Sequence, residues 1–279
     1  MRLWRLFAAV ISVPVILLEY FRADTGRAYD VGFFKKTWLA WKMSRNRAKV
    51  ATSSHWLEHL VMATQILKVP PTVEGCVVEC GSFKGGSAAN LSLVCALCNR
   101  TLEIFDSFEG LPEPSHSDES HAVLGEREIQ TYAKGAFRGT LSEVQDNISK
   151  FGQIKSCNFN VGYFEQTLPN FPKKCVLAFL DVDLTESLKT CLTHLWPLLQ
   201  DGCFLFSHEA HHMEIAGQFF DHEWWRSRMQ SSAPGLIGAG TGLGLFPFSG
   251  GYRSSLGYTV KNPAIAEFKI NAQVDSGVR

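Results

Sequence analysis

The chain has 279 residues, 46% hydrophobic and 19% charged, and its 27 Lys+Arg balance its 27 Asp+Glu. That length and apolar share suit one sizeable domain with appendages and exclude a low-complexity chain. The charge is uneven: residues 1–50 carry ten Arg/Lys against three acids, a net of +7, which leaves −7 for the rest. An acidic body gives no reason to expect a nucleic-acid partner. Leu6 to Leu18 is a run of thirteen uncharged residues, broken only by Ser12 and Pro14. A spanning helix needs ~20 residues, so the run is too short to cross a bilayer. No small-x-small cleavage site follows it, which argues against a removed signal. An uncleaved hydrophobic helix that dips into a membrane face or packs on a partner is expected. Phe33, Phe34, Trp38 and Trp41 interleave with Lys35, Lys36, Lys42, Arg45 and Arg47, as aromatic and basic residues do in interfacial helices. A helix docked on the protein's own surface, its lysines merely solvated, fits the same pattern. Residues 1–50 thus form a basic, apolar extension ahead of a body at 51–279.

From Thr52-Ser53-Ser54, with capping residues ahead of Trp56, an amphipathic helix runs to Pro70-Pro71. Then comes Gly75-Cys76-Val77-Val78-Glu79-Cys80-Gly81-Ser82-Phe83-Lys84-Gly85-Gly86-Ser87, read as a buried parallel strand, an acid, a glycine turn and a helix. A Walker loop is excluded, because no lysine precedes Ser87, and the dinucleotide G-x-G-x-x-G is absent. What remains is the pattern that S-adenosylmethionine enzymes use for the methionine end of their cofactor; an ordinary α/β turn is the alternative. A second short strand, Leu102 to Asp106, ends in an acid placed to accept the hydroxyls of a ribose. Of the eight cysteines, most sit inside apolar runs, and Cys95-Ala96-Leu97-Cys98 lies within a helix without a second pair at zinc distance. Reduced thiols point to the cytosol, with at most a peripheral place at a membrane face.

After Asp106 the pattern loosens. Residues 109–140 are long for a loop and read as a lid over the active site, with a plain disordered insertion as the alternative. Asn158–Val161 is the next strand, followed by Gly162 and Tyr163. Cys175–Leu180 is the most apolar strand and ends in Asp181-Val182-Asp183. A helix is expected over Ser187–Leu199, a turn at Asp201-Gly202, and a strand Cys203–Phe206 ending at Ser207-His208-Glu209. Leu236–Phe246 and Gly257–Val260 are expected as a terminal antiparallel pair.

Val78 to Ser87, Asp106-Ser107-Phe108-Glu109-Gly110-Leu111-Pro112, Phe164-Glu165-Gln166-Thr167-Leu168-Pro169 and Leu180-Asp181-Val182-Asp183-Leu184 stand in the order seen in one family. From about Ser53 to Glu209 the chain resembles the macrocin-type sugar O-methyltransferases. The resemblance implies a Rossmann-like class I methyltransferase fold, an α/β seven-stranded and mostly parallel sheet with helices on both faces. It implies S-adenosylmethionine as cofactor, with Glu79, Gly81 and Ser87 at the methionine end, Asp106 and Ser107 at the ribose, and Gly162 and Tyr163 beside the adenine. A small-molecule acceptor, a sugar hydroxyl, follows from the same resemblance, while homo-oligomer formation is left open.

The resemblance also implies magnesium at Asp181 and at an acidic pair on the next strand tip. This chain carries His208-Glu209 where two aspartates are usual. An imidazole turns such a site toward manganese, iron or zinc, or removes the metal. His208 alternatively serves as general base. Asp181 and His208 are thus the expected catalytic residues, and Asp181, His208 and Glu209 the expected ligands of magnesium or manganese. A plainer role for an aspartate here is to cap the following helix, which suits Asp183 better than Asp181. Two rival classes stay in view. A non-catalytic protein would keep the cofactor and dock on a membrane or partner. A zinc hydrolase would use His208-Glu209-Ala210-His211-His212, a literal H-E-x-x-H that here abuts a strand.

Overall fold

The computed structural model describes residues 13–123, 129–237 and 255–262. In chain order its elements are α1 (residues 13–21), α2 (Phe33–Asn46), α3 (Trp56–Lys68), β1 (Cys76–Cys80), α4 (Gly86–Leu97), β2 (Leu102–Asp106), β3 (Ser120–Ala122) and β4 (Ile129–Thr131). There follow α5 (Leu141–Phe151), β5 (Cys157–Val161), α6 (Phe164–Thr167), β6 (Cys175–Leu180), α7 (Thr185–Leu195), β7 (Leu199–Ser207), α8 (Met213–Gln218) and β8 (Gly257–Val260).

The apolar runs of β1 and β6 are buried at every position, which requires cover on both faces of a parallel sheet. They are neighbours in a six-stranded sheet of order β5-β2-β1-β6-β7-β8. All its pairs are parallel except β7 with β8. The chain winds outward through β1, β2 and β5, then returns to place β6 beside β1. That reversal opens a crevice at the carboxyl ends of β1 and β6, the place where open α/β sheets bind ligands. The expected strand Leu236–Phe246 falls mostly on 238–246, outside the described residues, but Ile237 makes an antiparallel bridge to Tyr258.

Two boundaries differ from expectation. The helix after β6 is Thr185–Leu195, because Leu199 already pairs with Cys175 as the first residue of β7. Asp201-Gly202 therefore lies inside a strand. The register slips there, with Leu177 opposite Phe204, and Gly202 takes φ +78° to donate its N–H to Lys261 O. Such an irregularity is a bulge, and glycine admits its backbone geometry.

The N-terminal helices share the core of the sheet: Ile16, Tyr20, Leu39 and Met43 are buried in the same cluster as β1 and β6. Tyr20 donates to Lys36 O, and the buried Lys36 ammonium donates to Arg22 O. Lys68 pairs with Glu19, which ties α1 to α3. Residues 6–12 of the long apolar run lie outside the described residues. No helix among the described residues is long and apolar enough to cross a membrane. All eight cysteines are free thiols, and all but Cys157 are buried.

Candidate active site

A cleft of about 670 Å³ lies along the carboxyl ends of β1, β2, β6 and β7. Gly81, Asp106, Ser107, Tyr163, Asp181, His208 and Glu209 are on its wall. Glu79, Ser87 and Gly162 stand behind that wall. Each has a geometric reason for its place.

At the tip of β1 the chain turns sharply into α4. Gly81 adopts φ +83°, and a Cβ there would lie 2.1 Å from the carbonyl oxygen of Asp181. The glycine is thus required by the approach of two strand tips, a different reason from the cofactor contact expected of it. Glu79 is fully buried within β1, and neither carboxylate oxygen lies in hydrogen-bonding geometry with a partner. Burial pushes its carboxyl up to about 8, against the pull of the nearby Ser87 hydroxyl. A buried acid with unused oxygens behind a ligand cleft is a position awaiting a donor.

Asp106 closes β2 and braces both turns beside the cleft. One carboxylate oxygen accepts from the Ser82 N–H at 2.7 Å and from the Ser82 hydroxyl at 2.9 Å, and the other from the Phe108 N–H at 2.7 Å. Ser107 donates to Gly110 O and accepts from the Glu109 N–H, so its hydroxyl builds the turn after β2. The Gly162 N–H donates to Asp106 O, which carries the parallel ladder past the end of β5 and sets Tyr163 at the cleft.

The tips of β6 and β7 bring together the three residues expected to act as a unit. His208 Nδ1 is 3.1 Å from Asp181 Oδ1 and 3.1 Å from Glu209 Oε1. Its other nitrogen faces Glu58 Oε2 at 3.5 Å. Burial disfavours the charged ring, but the Asp181, Glu209 and Glu58 carboxylates outweigh it and hold the imidazole pKa well above its ordinary value. Burial likewise opposes the Glu209 carboxylate, yet the His208 ring brings its pKa down to about 2. Asp183, half-buried on the cleft wall, is pushed well above the usual carboxylate range by desolvation and by repulsion from Glu209 and Asp181. Asp181, His208 and Glu209 each offer a ligand atom within 4.8 Å of the others, as do Glu209, His211 and His212.

Sequence reasoning did not single out Glu58. It sits in the apolar helix α3, where it accepts the His55 N–H and forms a capping box with His55 as N-cap in place of Thr52-Ser53-Ser54. Its only sequence signal is a charge on the buried face of α3. The alternative role of capping α7, which suited Asp183 better than Asp181, falls to neither. The first residues of α7 donate instead to Asp118: the Thr185 N–H at 2.9 Å and the Glu186 N–H at 3.2 Å. Asp118 also pairs with His121 at 3.0 Å and is 1% exposed.

Asp118 belongs to the segment read as a lid. Its β3–β4 hairpin is held over the β7 tip by Tyr132 OH with His212 Nδ1 at 3.0 Å, by Ala122 N–H donating to Glu214, and by a bridge from Val123 to His212. The H-E-x-x-H residues form a turn between β7 and α8, not a helix. The two outer histidines therefore do not share a helical face, and the zinc-hydrolase reading fails on geometry.

The macrocin-O-methyltransferase (TylF) family matches residues 40–224 of the chain. No curated protein matches it in sequence. Among solved structures, the fold is similar to the O-methyltransferase NovP, with 19% identity, 90% of this chain and 99% of that one covered, and a TM-score of 0.56. It is also similar to CalS11, a calicheamicin methyltransferase, at 16% identity over 81% of this chain and 92% of that one, with a TM-score of 0.51.

Proposed function

The chain belongs to the family of S-adenosylmethionine-dependent macrocin O-methyltransferases, and from that premise we propose that it methylates a hydroxyl of a sugar or of a glycosylated or lipid-linked small molecule. The observation that carries the proposal is the convergence of Gly81, Asp106, Asp181, His208 and Glu209 on one cleft at the reversal point of the sheet. Glu79 fits the methionine end, because a bound ammonium would satisfy its two unused oxygens. Asp106 keeps one acceptor site for a ribose hydroxyl, on the oxygen that takes the Phe108 N–H, while Ser82 and Phe108 hold it in place. Ser107 and Gly162 fix the backbone around it, and Tyr163 offers a ring for the adenine.

When bound, the cofactor supplies an electrophilic methyl group. The chain's own share is positioning and proton removal. His208, held in its charged form by Asp181, Glu209 and Glu58, orients the two carboxylates that its Nδ1 bridges, and Asp181, the partly exposed member of the set, would take up the acceptor's proton. Tyr132, Phe137, Gln130 and Ser53 give the wall the mixed aromatic and polar character that suits a sugar. The same three proton-handling residues fit a divalent ion, whose chemistry would be Lewis acidity toward the acceptor oxygen. Their oxygen–nitrogen–oxygen set favours manganese over magnesium.

Calorimetry with S-adenosylhomocysteine tests the core of this proposal. One site is expected in the wild type, weakened by ~1–3 kcal/mol in Asp106→Asn through loss of charged hydrogen bonds. A wild type that binds none would end the methyltransferase assignment of the cleft. Manganese titrated into the same cell should give a heat that disappears in Asp181→Asn, and no heat from either manganese or magnesium would remove the metal.

A further inference from the structure

Helix α2 buries Leu39 and Met43 on the core yet leaves its largest apolar side chains exposed. Lys36 is buried to 3% exposure among Leu39 and Met43, whereas Phe34 is 86%, Trp38 46% and Trp41 53% exposed on the opposite side. Phe34, Trp38, Trp41 and Arg45 follow one another at helical spacings of four, three and four residues, which places them on one outward stripe. Arg45 stacks on the Trp41 ring at 4.9 Å. At the junction with α1, Phe21 contacts Phe33 at 5.3 Å and Phe33 contacts Phe34 at 5.9 Å, which widens the stripe into a patch. Leu18 of α1 is 70% exposed. Lys35 and Arg45 are exposed on the same helix as these aromatics, Lys35 at 3.7 Å from the Asp30 carboxylate, in the stretch 1–50 whose net charge is +7 while the rest of the chain is −7.

We infer that this aromatic face of α1–α2 docks the protein on an anionic lipid surface. Charge decides the occupant. A second copy of the chain would bring another basic, aromatic face against this one, whereas anionic headgroups complement the arginines and lysines and admit tryptophan rings at their own level. Buried Leu39, Met43 and Tyr20 fix α1 and α2 on the core, so the outward face is presented as a rigid unit. A consequence follows for the reaction, and it rests on the methyltransferase reading above. Arg47, Ala51, Thr52 and Ser53, directly after α2, form part of the cleft wall. A docked α2 therefore brings the cleft rim to the headgroup layer, where an acceptor carried on a lipid is within reach.

The test uses the full chain with vesicles of phosphatidylcholine alone and with phosphatidylserine added. Flotation should show binding to the anionic vesicles that weakens as salt rises, because the basic residues are screened. A Phe34→Ala/Trp38→Ala/Trp41→Ala variant should bind roughly tenfold more weakly, and Lys35→Glu/Arg45→Glu should lose the preference for anionic lipid. Both variants change exposed side chains and should bind S-adenosylhomocysteine as the wild type does, which separates failure of docking from failure of the cleft assignment. Vesicle binding that is absent in the wild type, or unchanged in the aromatic variant, would overturn the inference. So would light scattering that shows a wild-type dimer which the aromatic variant splits, since the patch would then be a contact between copies.

Discussion

Glu79 shows how one burial decides a titration. Its carboxyl ionises near 4.5 in an unfolded chain and near about 8 in the fold, with burial the leading cause. Between those values the native state keeps a proton that the unfolded state has lost. Stability from this residue is thus fully present below about 4.5 and falls as pH rises toward 8. Urea denaturation should show a fall across that range that is smaller in Glu79→Gln by on the order of a few kcal/mol. Identical profiles would mean that the group is already paired. If an ammonium of the cofactor reaches Glu79, binding near neutral pH should release a proton, seen as a buffer-dependent heat that Glu79→Gln abolishes. Glu79 and Asp106 were legible in the sequence because each stands in or ends an apolar strand beside a turn. Glu58 was not, because only folding brings α3 against the β7 tip, 150 positions away in the chain, to face His208 at 3.5 Å.

At the scale of elements, the clearest case is the cap on α7. A helix start leaves its first N–H groups without partners, and an acid there also meets the positive end of the dipole. Asp183 lies two residues ahead of α7 and is the natural candidate from sequence, yet the groups go to Asp118, 67 residues away. The exchange ties the segment over the cleft to the sheet. Its acidity is correspondingly enhanced: burial resists the charge, but His121 and the helix N–H groups hold the Asp118 carboxyl well below its ordinary range. Asp118→Ala should cost ~1–2 kcal/mol of stability as a lost cap, and it should raise amide hydrogen exchange in residues 116–123 and 129–132 more than in β1 or β6. Uniform exchange across the chain would show that the hairpin is held by its other contacts. The segment's length and position were readable. Its anchoring was not, since His121, Tyr132 and His212 carry no pattern until the hairpin lies across the turn after β7.

At the scale of the molecule, the cleft belongs to the folded state alone, so a ligand that fills it stabilises the whole chain. S-adenosylhomocysteine at a hundredfold excess over its Kd should add about 2.7 kcal/mol and raise Tm by roughly 5–10 °C, rising with concentration. A Tm indifferent to ligand would contradict a preformed site. The sequence by itself determined the parallel α/β order, the strand-tip acids and the glycine turn, because these rest on short-range chemistry: apolar runs that must be buried on both faces, and backbone turns that few residues can make. It also marked the N-terminal aromatic and basic stretch without saying which face was outward. Tertiary structure alone decided that Lys36 turns in and Trp38 and Trp41 turn out, that the backbone of Asp181 leaves no room for a Cβ at Gly81, and that His208 is enclosed by Asp181, Glu209 and Glu58. Each of those outcomes depends on which distant segment supplies the neighbour, and the energies of burial and charge pairing are set by that neighbour, not by the residue's own place in the chain.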